Sequence, residues 1–191
     1  MQIISGIYRQ TEGEVLYDGK KREEIPDIIF HASVNSVDQE SCIFTDTISN
    51  NLKMFDDTVK DFEMILAARD AQIHNRIIQE SKGYDSMMQN NGGNFSGGEI
   101  QRLELARALS QEPTLMILDE FTSALDALTE EKIFNAVRDK GTSAVIVAHR
   151  LSTIVNCDKI YVMDHGEIIE QGTHDELYAL GGYYHQLVSK Q

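Results

Sequence analysis

Basic residues are scarce in this chain of 191 residues: 17 lysines and arginines stand against 31 aspartates and glutamates, a formal charge of −14. A surface of that sign cannot displace counterions along a nucleic-acid backbone, so no nucleic-acid partner is expected. Nucleotides are not excluded, because local backbone amides capture a phosphate whatever the net charge. Cysteine is nearly absent. Cys42 and Cys157 lie far apart, outside any CxxC spacing, which fits reduced thiols better than a disulfide framework. Long apolar runs are missing too: none approaches the roughly 18 to 20 residues that span a bilayer. The first residues do not read as a signal peptide. A membrane role is therefore expected only through a partner or fused domain. Repeats and low-complexity stretches are absent, and only two prolines interrupt the chain.

What is present suffices for one domain with a sizeable core, at 41% hydrophobic and 25% charged residues. Residues 1–8 (MQIISGIY) read as helix-like, and residues 14–20 as a short strand entering a turn at Asp18-Gly19. Helical spacing runs over residues 57–71 and 72–79, and again over residues 98–110. The second half is clearer. Residues 114–118 and 143–148 are continuous apolar runs, and helical spacing occupies residues 128–138 between them. A strand buried on both faces, a helix and a second such strand make a βαβ unit of a parallel sheet. Residues 160–163 and 167–170, joined through Asp164-His165-Gly166, are expected to close the core as a strand pair.

Three features carry chemistry. The stretch NFSGGE (Asn94 to Glu99) reads first as a capping box, with Ser96 at the N-cap and Glu99 three residues on. A cap needs no Gly97 or Gly98, each of which weakens a first turn by up to about 1 kcal/mol. Glycines there let backbone N–H groups approach an anion, which the helix dipole favours. Asp119-Glu120 ends the first apolar run, at the edge where parallel sheets bind ligands. One carboxylate can hold Mg²⁺ and the next can activate a water. His149 ends the second run beside them, placed to meet a terminal phosphate and to position that water.

NFSGGEIQRLELARAL, LMILDEFTSALD and VIVAHR, in this order, resemble the nucleotide-binding domain of ABC transporters. The resemblance implies a P-loop NTPase-like α/β fold, a parallel sheet flanked by helices with a helical signature subdomain. It makes Ser96, Gly97, Gly98 and Glu99 the signature motif, Asp119 the magnesium ligand and Glu120 the catalytic glutamate. Ser123 and Asp126 fall in the D-loop against a partner's nucleotide, and His149 is the switch histidine. Gln39, in VDQE, matches the glutamine that contacts magnesium and couples to the membrane domain. Three parts are implied: residues 1–52 as core with Gln39, 53–110 as the helical subdomain, and 111–191 with the acidic pair, D-loop and histidine. Implied cofactors are ATP and Mg²⁺. Implied partners are a second nucleotide-binding domain, paired head to tail, and a transmembrane domain, at the cytoplasmic side of the plasma membrane. The stretch DTISNNL and the tail GEIIEQGTHDEL are similar to exporters; VDQE with NFSGGE leans toward peptide or bacteriocin exporters.

The family's phosphate-binding loop, GxxxxGK followed by Ser or Thr, has no match. The sole Gly-Lys pair, Gly19-Lys20, is followed by Lys21 and has Gly13 one residue too far upstream. The resemblance therefore implies a chain that begins downstream of that loop, missing the first strands of the sheet, and that is inactive alone. Two other departures stand out: Asn90 where exporters carry an acid, and Glu99 in place of a commoner glutamine. A truncated exporter ATPase is the leading expectation. A non-catalytic module lending only its signature half-site is a second, and a soluble ABC ATPase a third, disfavoured by the exporter-like motifs.

Overall fold

A computed structural model describes residues 1–37, 42–89, 92–121, 125–148 and 150–189. It divides into two units, Met1–Val147 and Ala148–Gln191.

At the centre of the first unit is a three-stranded parallel sheet in the order β3 (Val34–Val37), β4 (Leu115–Asp119), β5 (Ser143–Val147). In β4, Met116, Ile117 and Leu118 are all fully buried, as an unbroken apolar run in a central strand requires. Helix α6 (Ala127–Asp139) makes the crossover to β5 and buries Ile133 and Val137, one turn apart. The expected βαβ unit is present.

The helical part of this unit comprises α2 (Ile48–Lys53), α3 (Asp61–Asp70), α4 (His74–Ile77) and α5 (Gly97–Ser110). Helix α3 lies against α5, and Ala67 and Ala68 of α3 and Leu105 and Leu109 of α5 are buried in one cluster. Burying each such leucine contributes about 1.5–3 kcal/mol. A polar knot ties α5 to α2. Buried Asn51 donates to the Phe44 and Thr47 carbonyls (2.9 and 3.0 Å) and accepts from the Phe44 N–H (2.8 Å). Arg107 on α5 donates to the Asn51 carbonyl (2.9 Å) and the Cys42 carbonyl (2.9 Å).

Several expectations are corrected. Residues 1–8 form hydrogen-bonded turns and no regular helix, because Gly6 takes φ 75° and ends the helical course. Helix α3 starts at Asp61 and not at residue 57: Asp56 captures the Thr58 N–H (2.8 Å), and Glu63 then reaches back to the Lys60 N–H (2.8 Å). Strand β5 is not buried on both faces. Among the described residues it pairs with β4 alone, and its side chains are exposed or half-buried. Helix α1 (Asp27–Ser33) and strand β3 carry no periodic signal strong enough to foresee. The hairpin of β1 (Leu16–Tyr17) and β2 (Lys20–Lys21) turns where expected, with Asp18 at φ 49° and Gly19 at φ 78°.

The second unit begins with the short helix α7 (Leu151–Ile154) and contains an antiparallel pair, β6 (Ile160–Asp164) and β7 (Glu167–Gly172), followed by α8 (His174–Leu180) and α9 (Tyr183–Val188). The pair does not extend the parallel sheet; its apolar face closes its own small cluster of Ile160, Val162, Leu177 and Tyr184. Thr173 and Glu176 form a capping box at α8, and Glu170 accepts the Tyr184 N–H (2.8 Å) at the start of α9. No helix among the described residues is long and apolar enough to cross a membrane.

Candidate nucleotide-binding half-site

Helix α5 opens as a capping box. The Glu99 carboxylate accepts the Ser96 N–H at 2.8 Å, and the Ser96 hydroxyl accepts the Glu99 N–H at 3.4 Å. Gly97 and Gly98 occupy the first turn, where backbone N–H groups have no intrahelical acceptor. Gly97 has no positive φ, and a Cβ built on it meets nothing within 4 Å. Among the described residues, neither backbone conformation nor packing calls for glycine at Gly97. The open space lies in front of the helix's positive end, where an anion is stabilised.

A residue that sequence reasoning missed holds this loop. Arg76 of α4 directs Nε to Glu99 (3.2 Å), Nη1 to Glu80 (2.6 Å) and Nη2 to the Asn94 carbonyl (3.0 Å). Its guanidinium also lies 4.6 Å from the centre of the Phe95 ring. Burial pushes the Glu99 carboxyl up, but the hydrogen bonds with Ser96 and the charges of Arg76 and Arg102 outweigh it and hold the group below its ordinary value. Arg76 and Glu99 are 23 positions apart, beyond the reach of any helical spacing rule, and the polar character of Arg76 is the one signal the sequence offers.

The acidic pair sits at the carboxyl end of β4. Asp119 is in register with Val147 of β5, and the next residue, Glu120, donates its N–H to the Val147 carbonyl at 3.1 Å. Both residues are half-buried. Glu120 has φ 50°, a left-handed conformation that costs a non-glycine residue about 1–2 kcal/mol and turns the chain sharply out of the sheet.

Asp126 is the N-cap of α6. Its carboxylate accepts the Thr129 N–H (2.9 Å) and the Thr129 hydroxyl (2.7 Å), and these bonds hold it below the usual carboxylate range. Gln39, Ser123 and His149, together with Asn90, lie outside the described residues. The structure thus brings Ser96 to Glu99 into one cluster and Asp119 and Glu120 into another, with Asp126 capping the crossover helix. Gly19 lies in the β1–β2 turn and Lys20 opens β2, exposed and paired with Tyr17.

The acidic pair lies at the carboxyl edge of a parallel sheet, where α/β domains bind their ligands. Comparison narrows the class. The ABC transporter family's profile matches residues 1–123. The chain is 38% identical over 189 residues to the ATP-dependent lipid A-core flippase of Syntrophus aciditrophicus, covering 98% of this chain and 31% of that protein. To a putative multidrug export ATP-binding/permease protein of Staphylococcus aureus it is 39% identical over 193 residues, 100% of this chain and 33% of the relative. The solved structure of a bacterial Atm1-family ABC exporter with ATP bound superposes with a TM-score of 0.91 at 34% identity, covering 100% of this chain and 34% of that one. The chain belongs to the ABC transporter family. It spans about a third of the length of these relatives.

Proposed function

We propose that this chain is the ATP-handling part of an ABC exporter, and that Ser96 to Glu99 supply one half of a composite ATP site whose phosphate-binding loop comes from another domain. The observation that carries this reading is Gly97, a glycine that nothing among the described residues requires, at the open positive end of a capped helix. In this reading the Ser96 hydroxyl and the Gly97 and Gly98 amides meet a terminal phosphate held by the partner. At a separate ATP, held by a phosphate-binding loop on the same domain, Glu120 would polarise the attacking water and Asp119 would offer an oxygen to magnesium. Among the described residues no cluster of three or more His, Cys, Asp or Glu can hold a metal unaided. Mg²⁺ characteristically binds through one or two carboxylates together with nucleotide phosphates. When bound, Mg²⁺ would neutralise charge developing on the phosphates. Gln39 is assigned a second contact to it, His149 the positioning of the water, and Ser123 and Asp126 contacts to the partner's nucleotide.

The proposed partners are a second nucleotide-binding domain and a transmembrane domain that keeps this one on the cytoplasmic side of the membrane. The relatives' names differ in cargo, which supports assigning cargo choice to regions of those proteins outside the stretch matched here.

The 191 residues contain no GxxxxGK[S/T] run. Alone, the chain is expected to bind ATP weakly and turn over none. Mixed with a family domain that carries an intact phosphate-binding loop, it should associate in an ATP-dependent manner. Calorimetry showing micromolar ATP affinity for the chain alone, or light scattering showing no ATP-dependent association in the mixture, would overturn the half-site reading.

A further inference from the structure

The signature loop presents an electrostatic conflict. A helix N-terminus offers an incoming phosphate roughly half a positive charge. Glu99, in the first turn of the same helix, presents a full negative one, and its side chain is 21% exposed, so water screens it only in part. Uncompensated, that carboxylate would repel the phosphate that the loop is read as receiving.

We infer that Arg76 is a positioning residue for this half-site: it neutralises Glu99 and fixes the backbone on both sides of Ser96, Gly97 and Gly98. The inference rests on the half-site reading above. Both Glu99 oxygens are engaged, one by the Ser96 N–H and the other by Arg76 Nε. The charges grouped around Glu99 are Arg76 and Arg102 against Glu80 and Glu99 itself, two of each sign, and the group is neutral only while Arg76 is present. The geometry serves positioning equally well. Arg76 grips the Asn94 carbonyl and stacks on Phe95 before the glycines, then holds Glu99 after them. Glu80, bonded to Nη1, keeps the guanidinium plane in orientation. Three donors of one planar fork reach three separate acceptors, an arrangement that lysine cannot reproduce.

The test is a double-mutant cycle on the 191-residue chain, using ATP-dependent association with a loop-bearing family domain, followed by fluorescence anisotropy. Arg76→Ala is expected to weaken association about tenfold, the order expected for an uncompensated charge at a helix N-terminus. Adding Glu99→Gln to Arg76→Ala should recover part of that loss, because the repelling charge is gone while the backbone contacts stay lost. Arg76→Lys should recover only part. A purely structural role for Arg76 predicts no recovery, since the contacts to Asn94 and Phe95 remain lost in the double variant. In the chain alone, carbon-detected NMR should show the Glu99 carboxyl titrating at higher pH in Arg76→Ala than in the unaltered chain, and melting curves confirm that each variant is folded. Association of Arg76→Ala equal to the unaltered chain, a double variant as weak as Arg76→Ala, or an unmoved Glu99 titration each overturns the inference. An unaltered chain that never associates overturns the half-site reading, and the role assigned to Arg76 in it, even where the Glu99 titration moves.

Discussion

The backbone N–H of Glu120 is tied to the Val147 carbonyl at 3.1 Å while Glu120 itself stands at φ 50°. The sheet's hydrogen bonding thus continues one residue past the Asp119–Val147 register pair and holds Glu120 in a conformation it would not choose. The left-handed turn comes directly after Asp119, at the carboxyl end of β4 where parallel sheets bind ligands. Glu120→Gly should therefore be more stable than Glu120→Ala by about 1 kcal/mol, because both lose the carboxylate and only glycine relieves the backbone. Urea midpoints of the two variants measure the difference.

The same residue should separate binding from turnover. With a phosphate-binding loop restored on the same domain, Glu120→Gln is expected to lower ATP hydrolysis by about 10²- to 10⁴-fold, the usual contribution of a general base, while nucleotide binding persists. Phosphate release and nucleotide binding measured on that restored domain decide the matter. Turnover near the unaltered level would exclude Glu120 as the base.

Ser96 has a structural duty distinct from any ligand. Ser96→Ala removes the hydroxyl that accepts the Glu99 N–H and should cost about 1 kcal/mol of stability, whereas Ser96→Gly should cost only a few tenths. Denaturant unfolding of the chain alone reports this term with no nucleotide involved.

Asn51 closes the knot between α2 and α5. Asn51→Ala leaves the Phe44 N–H and carbonyl without their side-chain partner, and should cost about 2–4 kcal/mol. Asn51→Leu should not recover the loss, because those backbone groups stay unpaired. A melting temperature within a degree of the unaltered chain would show that water replaces the side chain.

His74 and Tyr84 predict the pH dependence of stability. Their Nδ1 and hydroxyl lie 2.9 Å apart. Burial, aided by the charge of Arg69, lowers the His74 pKa from its usual 6.5, so the folded state favours the neutral ring. Its contribution is complete above 6.5 and is lost as pH falls below that value, because the unfolded state then binds the extra proton. Burial pushes the Tyr84 phenol from 10.0 up to about 12, against a smaller opposing effect of Arg69. Its contribution is complete below 10.0 and declines as pH rises toward about 12, because the unfolded phenol ionises first. Urea midpoints across pH should fall at both ends, and Tyr84→Phe should flatten the alkaline fall.

Elements whose signals are local were legible from the sequence. The apolar runs of β4 and β5, the helical spacing between them, the Asp18-Gly19 turn and the Ser96–Glu99 capping box all sit where their residues pointed. Strand β3 was not legible. Its residues Val34-Asn35-Ser36-Val37 alternate weakly, and they become a strand because β4 supplies a parallel partner, with the Thr114 N–H bonded to the Ser33 carbonyl at 3.0 Å alongside. The exposure of β5 was hidden for the converse reason: an apolar run records what a strand can bury, not whether a neighbour lies on each side.

By itself, the sequence determined which residue types could meet a nucleotide: the glycines behind Ser96 and the Asp119-Glu120 pair at the end of an apolar strand. These are local patterns, and hydrogen bonding along the chain places each one. Only the tertiary structure decided what surrounds them. Glu99 comes to rest against Arg76, 23 positions away, and Glu120 is strained against Val147, because both contacts form between segments that meet only once the core of α3, α5 and the sheet has closed. Burial is not directional enough to be read from spacing, so the partners of a buried or half-buried charge are fixed by the fold and not by the motif.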